Sequence, residues 1–292
     1  YNILGDYMKK IIIFLIVLCT LTGCLKRDTM EGIEIYTTVY PLEYITNRLY
    51  GNNSTVKSIY PNGVDPFTYP SLTEKQLSDY SAASLYIFNG LTAEKDYVVP
   101  LFNHNKDLKI INASLSMKTS YGNEELWLDP SNFLQLTQNI RNGFEEYISN
   151  YYLLEEIKKN YEDLKLEVSK LDANLTVIGS NADFNTIVVT DDLFLFLKKY
   201  NINVMSLDKD SLTNKTLNDV KSLMGEEKIS YIFAKKDEKL SDEVKALVDE
   251  YKVEVVYIHT LANLTNEEKE NGSTYLTIMN ENIEKLKNEL YN

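Results

Sequence analysis

Few side chains in this sequence could ligate a metal, attack a substrate or be modified covalently, and their placement narrows the chemistry. Its 292 residues include two cysteines and two histidines. Cys24 closes a segment in which Lys9 and Lys10 precede an apolar run from Ile11 to Leu21, with Thr22 and Gly23 just before the thiol. A charged start, a short apolar run and small residues form the layout of a secretory signal. The run is too short to cross a ~30 Å hydrocarbon core as a helix, which takes roughly 20 residues. Cys19 leaves with that run, so Cys24 has no disulfide partner and the fold rests on its core. His104 stands between Asn103 and Asn105 in a stretch that reads as a surface loop, and His259 follows an apolar strand. The sequence has no nucleophile elbow, no His/Asp pair near a serine and no zincin motif, so it reads as a non-enzyme.

Leu21-Thr22-Gly23-Cys24 resembles the lipobox of bacterial lipoproteins, in which the cysteine is acylated and becomes the mature N-terminus. A diacylglyceryl group brings two acyl chains, which is what stable anchoring takes. The resemblance implies a lipoprotein signal over residues 1–24, lipidation at Cys24, a polar tether over 25–32 and work on the extracytoplasmic face of the cell membrane. Without the signal the chain carries 28 basic and 42 acidic side chains, one charge more negative than the −13 of the whole sequence. That balance disfavours nucleic acid, whose phosphates need clustered Lys and Arg. It suits a cationic ligand weakly, because net charge speaks to association and not to fold.

The remaining length supports one large or two medium domains. Ile33 to Tyr40 alternates and is rich in β-branched residues, which predicts a strand; Pro41 then opens a helix ended by Gly51. Val56–Tyr60, Leu85–Phe88 and Leu108–Ile111 predict further strands, and Ser71 with Glu74 suggests a helix-opening capping box. Asp129-Pro130 starts a helix to about Tyr147. Ile157, Tyr161, Leu164, Val168, Leu171 and Leu175 then recur in steps of four and three, which predicts one long amphipathic helix over 151–175. Strand–helix alternation resumes with strands at 186–190, 204–207, 229–234 and 253–258 and helices at 193–200, 217–224, 241–250 and 273–290. The fold class that follows is α/β: two α/β lobes with mostly parallel sheets, 33–150 and 176–292, joined by one long rigid helix.

Several blocks resemble the solute-binding lipoproteins of bacterial zinc and manganese ABC transporters, with their TroA-like fold. They are Val39-Tyr40-Pro41-Leu42, Pro61-Asn62-Gly63-Val64-Asp65-Pro66, the Ala82–Gly90 segment, Leu126-Trp127-Leu128-Asp129-Pro130 and Tyr275-Leu276-Thr277-Ile278-Met279. The resemblance covers about Ile33 to Leu290. It implies a monomeric, lipid-anchored binding protein that hands its solute to a membrane permease; an adhesin that kept the scaffold and lost transport is the alternative.

Family members hold a metal between the lobes with histidines and carboxylates. By the same resemblance the first histidine position is Phe67, the second Glu125 and the third Asp191, while the fourth ligand falls near His259. Asp65 and Asp192 are neighbours in the cleft, and no histidine-rich loop lies between Asn112 and Asn123. Two carboxylates and one imidazole suit Mn²⁺ or Fe²⁺ better than Zn²⁺, which favours thiolate and imidazole. Phe67 cannot ligate, so the same replacements also fit a cleft that no longer binds a metal.

Overall fold

A computed structural model describes residues 30–291. Cys24, the signal of residues 1–24 and tether residues 25–29 lie outside the described residues. In the N-terminal lobe, β1 (Ile33–Thr37) buries Ile33, Ile35 and Thr37 on one side, as its alternation requires. It is followed by α1 (Tyr40–Tyr50), β2 (Ser54–Ser58), α2 (Glu74–Ser81), β3 (Leu85–Phe88), α3 (Val98–His104) and β4 (Lys109–Asn112). The strands form a parallel sheet in the order β2-β1-β3-β4. After α4 (Glu125–Leu128), α5 (Pro130–Tyr147) and α6 (Tyr151–Ser180), the second lobe repeats the scheme. It contains β5 (Thr186–Val189), β6 (Asn203–Ser206), α7 (Asn214–Gly225), β7 (Tyr231–Lys235), α8 (Asp242–Tyr251), β8 (Glu254–Ile258), α9 (Asn266–Glu270) and α10 (Tyr275–Leu290). Its parallel sheet has the order β6-β5-β7-β8.

The long helix α6 starts where the Asn150 side chain accepts hydrogen bonds from the Tyr152 and Leu153 amides, at 3.0 and 3.4 Å. Its seam of Leu153, Ile157, Tyr161, Leu164, Val168, Leu171, Leu175 and Ile178 is buried. Helix α6 packs against α1, α5 and α10. One continuous cluster of buried side chains therefore reaches from Met30 to Leu290 through both lobes. The helix continues past the predicted end at 175 because Ile178 and Gly179 are still buried. A Cβ at Gly179 would fall 1.9 Å from the Tyr200 carbonyl oxygen, so only glycine allows this close approach.

Two local features differ from the sequence reading. The capping box of α2 uses Thr73 and Gln76, not Ser71 and Glu74. Thr73 Oγ1 accepts from the Gln76 amide and Gln76 Oε1 accepts from the Thr73 amide, while Leu72 stays outside the helix to pack into the core. Residues Asp192–Tyr200 form a 3₁₀ segment instead of an α-helix. Its buried Phe194, Leu197 and Tyr200 recur every three residues, which is the eclipsed spacing of a 3₁₀ turn.

Glu94 is 2% exposed beyond the end of β3 and accepts from the Asn89 amide at 3.0 Å. Burial pushes its carboxyl from 4.5 up to about 7, against the pull of hydrogen bonds from around it. With a raised folded value, the native state holds a proton that the unfolded chain has lost. Stability contributed by this group therefore falls as the pH rises from 4.5 to about 7. The full difference is about 3 kcal/mol. Glu94→Gln, which keeps the shape without the charge, should gain stability relative to wild type between pH 5 and pH 8 in parallel thermal melts. A constant difference across that range would remove Glu94 as the cause.

Candidate functional site

The strand ends decide where a ligand fits, because open parallel sheets bind solutes beyond their C-terminal edges. Those edges face each other here. From the N-terminal lobe come the loop after β2, with Gly63, Asp65, Pro66 and Phe67, and Glu124 ahead of α4. The C-terminal lobe brings Lys235, Lys236 and Glu238 from the end of β7, His259 from the end of β8, and Glu268 from α9. They enclose a cleft of about 500 Å³.

The walls are fixed by hydrogen bonds between the lobes. Trp127 Nε1 donates to the Thr260 carbonyl at 2.7 Å, and Tyr275 Oη donates to the Trp127 carbonyl at 2.7 Å. Asn263 Nδ2 donates to the Pro61 and Val64 carbonyls, and the Gly63 amide to the Leu264 carbonyl. Gly63 has a φ of 78°, a turn conformation that glycine adopts without strain. Phe67 lies parallel to Trp127 with ring centroids 6.3 Å apart, and remains 39% exposed.

Both lysines of the cleft are held in ion pairs. Lys235 Nζ forms an ion pair with Asp191 Oδ2, and Lys236 Nζ with Glu268 Oε1. Burial works against the Lys235 ammonium, but Asp191 overrides it and holds its pKa above the ordinary lysine value. Burial likewise pushes Glu268 up, but Lys236, the Thr265 amide and His259 outweigh it and bring the carboxyl to about 2. His259 Nδ1 accepts from the Leu261 amide at 2.9 Å, which places the proton of the neutral ring on Nε2, 3.2 Å from Glu268 Oε1. Burial holds the His259 pKa below its ordinary value, with Glu268 pulling the other way. Glu124 is pushed up, chiefly by burial, with Asp191 and Asp65 adding to the push and Lys235 opposing it.

Residues 35–289 match the family described as ZnuA, the periplasmic component A of a zinc-uptake complex. The chain belongs to this family. It is 24% identical over 318 residues to the zinc-binding lipoprotein AdcA of Streptococcus pneumoniae, covering 96% of this chain and 61% of that one. It is 27% identical over 168 residues to the manganese-binding lipoprotein MntA of Halalkalibacterium halodurans, covering 49% of this chain and 54% of that one. Among solved structures, the Zn(II)-bound ZnuA-like domain of S. pneumoniae AdcA superposes with a TM-score of 0.71 at 22% identity, over 89% of this chain and all of that one. The chain thus spans about three fifths of the length of the zinc-binding relative, while the two-lobed fold is that of its ZnuA-like domain.

Within this ZnuA-family fold the residues singled out in the sequence go to different places. His259 lines the cleft, as do Asp65 and Phe67; Asp191 meets it through Lys235. Asp65 is turned onto its own loop, accepting from the Phe67 amide and the Thr68 hydroxyl at 2.9 Å each. Glu125 points away. Its Oε2 accepts from the Ser120 and Tyr121 amides at 2.8 and 2.9 Å, and the adjacent Glu124 takes its place in the cleft. Asp192 lines a separate depression in the C-terminal lobe and accepts from the Ser211 hydroxyl at 2.9 Å. His104 pairs with Glu74 on the surface at 3.4 Å. Among the described residues, no group of three or more His, Cys, Asp or Glu side chains is arranged to hold a metal ion.

Lys235, Lys236, Glu124 and Glu268 were missed in the sequence. The signal available was the run Lys235-Lys236-Asp237-Glu238, which follows the buried Ile232-Phe233-Ala234 and so had to stand at a strand's C-terminal end.

Proposed function

We propose that this chain is the lipid-anchored, extracytoplasmic solute-binding component of an ABC importer, with a divalent cation as cargo and a cleft altered from the histidine-rich pattern. The observation that carries the reading is the cleft between the C-terminal edges of two parallel sheets, lined by His259 and by the carboxylates of Asp65, Glu124, Glu238 and Glu268. Oxygen donors with a single imidazole favour Mn²⁺ or Fe²⁺ over Zn²⁺. Cys24 supplies the anchor, the permease is the partner in the membrane, and the working unit is one copy of the chain. Among the described residues no helix is long and apolar enough to cross a membrane.

Calorimetric titration of the purified protein with Mn²⁺ should give saturable binding of modest affinity. Glu124→Gln and His259→Ala should each weaken it, whereas His104→Ala, on the surface, should not. Binding should also weaken as the pH falls, because a ligating imidazole must be neutral. A protein that titrates with no divalent cation at millimolar concentration contradicts the proposal.

A further inference from the structure

Lys235 is the last residue of β7 and Lys236 opens the turn that follows, and their side chains reach different partners. One reaches Asp191, which caps the 3₁₀ segment after β5; the other reaches Glu268 in α9. The remaining oxygens of these carboxylates are also engaged. Asp191 Oδ1 accepts from the Leu193 amide at 2.8 Å, and Glu268 Oε2 from the amide and hydroxyl of Thr265 at 2.8 and 3.0 Å. Glu238 Oε2 accepts from the Thr190 hydroxyl and the Lys235 amide. The His259 ring turns its Nε2 proton, not a lone pair, towards Glu268.

We propose that Lys235 and Lys236 are the resident cations of the cleft: specificity-determining side chains that hold the carboxylates a divalent ion would need. This rests on the reading of the cleft as the cargo site. An ammonium is a compact point charge with three donors, so it satisfies a carboxylate as a bound cation would, without imposing a coordination geometry. Being tethered, it competes at an effective concentration in the millimolar range that no dilution lowers. An entering ion that draws on Asp191 or Glu268 must displace the lysine paired with it. To use His259 Nε2 it must also expel the proton there or move it to Nδ1, which breaks the bond from the Leu261 amide. The arrangement admits a solute only if it can repay those exchanges, and so discriminates against free metal ions at low concentration.

The test titrates Mn²⁺ and Zn²⁺ into the protein and two double variants. In one, Lys235→Gln and Lys236→Gln keep an N–H donor on a side chain one atom shorter and remove the charge; in the other, Lys235→Arg and Lys236→Arg keep the charge. The glutamine pair should bind at least one of the ions roughly tenfold more tightly than wild type. The arginine pair should stay as weak as wild type. Metal-free melting curves establish that each variant is folded, and the single glutamine substitutions, which leave one ion pair in place, carry the same test if the double variant is not. A folded glutamine variant with unchanged affinity overturns the proposal, as does an arginine variant that gains as much. If wild type and variants bind equally well and Glu124→Gln weakens both, the cargo site stands and the role of the lysines falls. If neither protein titrates, both fall.

Discussion

Leu164→Pro should lower the melting temperature by roughly 10 °C, from a loss of ~3 kcal/mol or more. Leu164 sits near the middle of the 30-residue α6 and is fully buried. Proline there removes one backbone hydrogen bond, drives its ring into the carbonyl one turn earlier and kinks the helix. The kink is costly because the same helix packs on α1, α5 and α10, and its buried seam belongs to the one core cluster that runs through both lobes. Differential scanning calorimetry measures the shift directly. A variant as stable as wild type would show that α6 is not the spine on which both lobes are built.

Trp127→Ala should be of similar size or larger, about 3–5 kcal/mol in denaturant unfolding. Trp127 is 1% exposed and links the lobes through its indole N–H to Thr260 and its carbonyl to Tyr275. The truncation opens a cavity behind Phe67, whose ring loses the surface it lies on, and leaves the Thr260 carbonyl without its donor. Trp127→Phe restores much of the ring but not the N–H, so its loss should be closer to 1–2 kcal/mol. Equal losses for the two variants would argue that the hydrogen bond and not the packing joins the lobes.

The architecture was legible because its signals are local. Alternating β-branched residues mark β1, and the steps of four and three from Ile157 to Leu175 mark α6 wherever the chain ends up. Boundaries slipped where a tertiary partner decides them. Ile178 and Gly179 prolong α6 because Tyr200 packs there, and nothing nearby in sequence announces that contact. The site was harder to read for the same reason. Whether Glu124 or Glu125 faces the cleft depends on which one the Ser120 and Tyr121 amides capture, a one-residue difference at the start of a four-residue helix. The ion pairs Lys235–Asp191 and Lys236–Glu268 join distant segments whose meeting depends on how β5, β7 and α9 are arranged. In the sequence alone, two lysines followed by two acids look like an ordinary solvated turn.

Binding of solute between the lobes has a built-in reporter, because Trp127 is the only tryptophan in the sequence and stands behind Phe67 at the cleft wall. Mn²⁺ is paramagnetic and quenches indole emission at short range. Titrating the protein with Mn²⁺ while recording tryptophan fluorescence and binding heat should give a saturable loss of emission with the same midpoint as the heat. In the lysine-to-glutamine variant both midpoints should move together to lower concentration. Binding heat with unchanged Trp127 emission would place the metal ion away from the cleft and contradict the account.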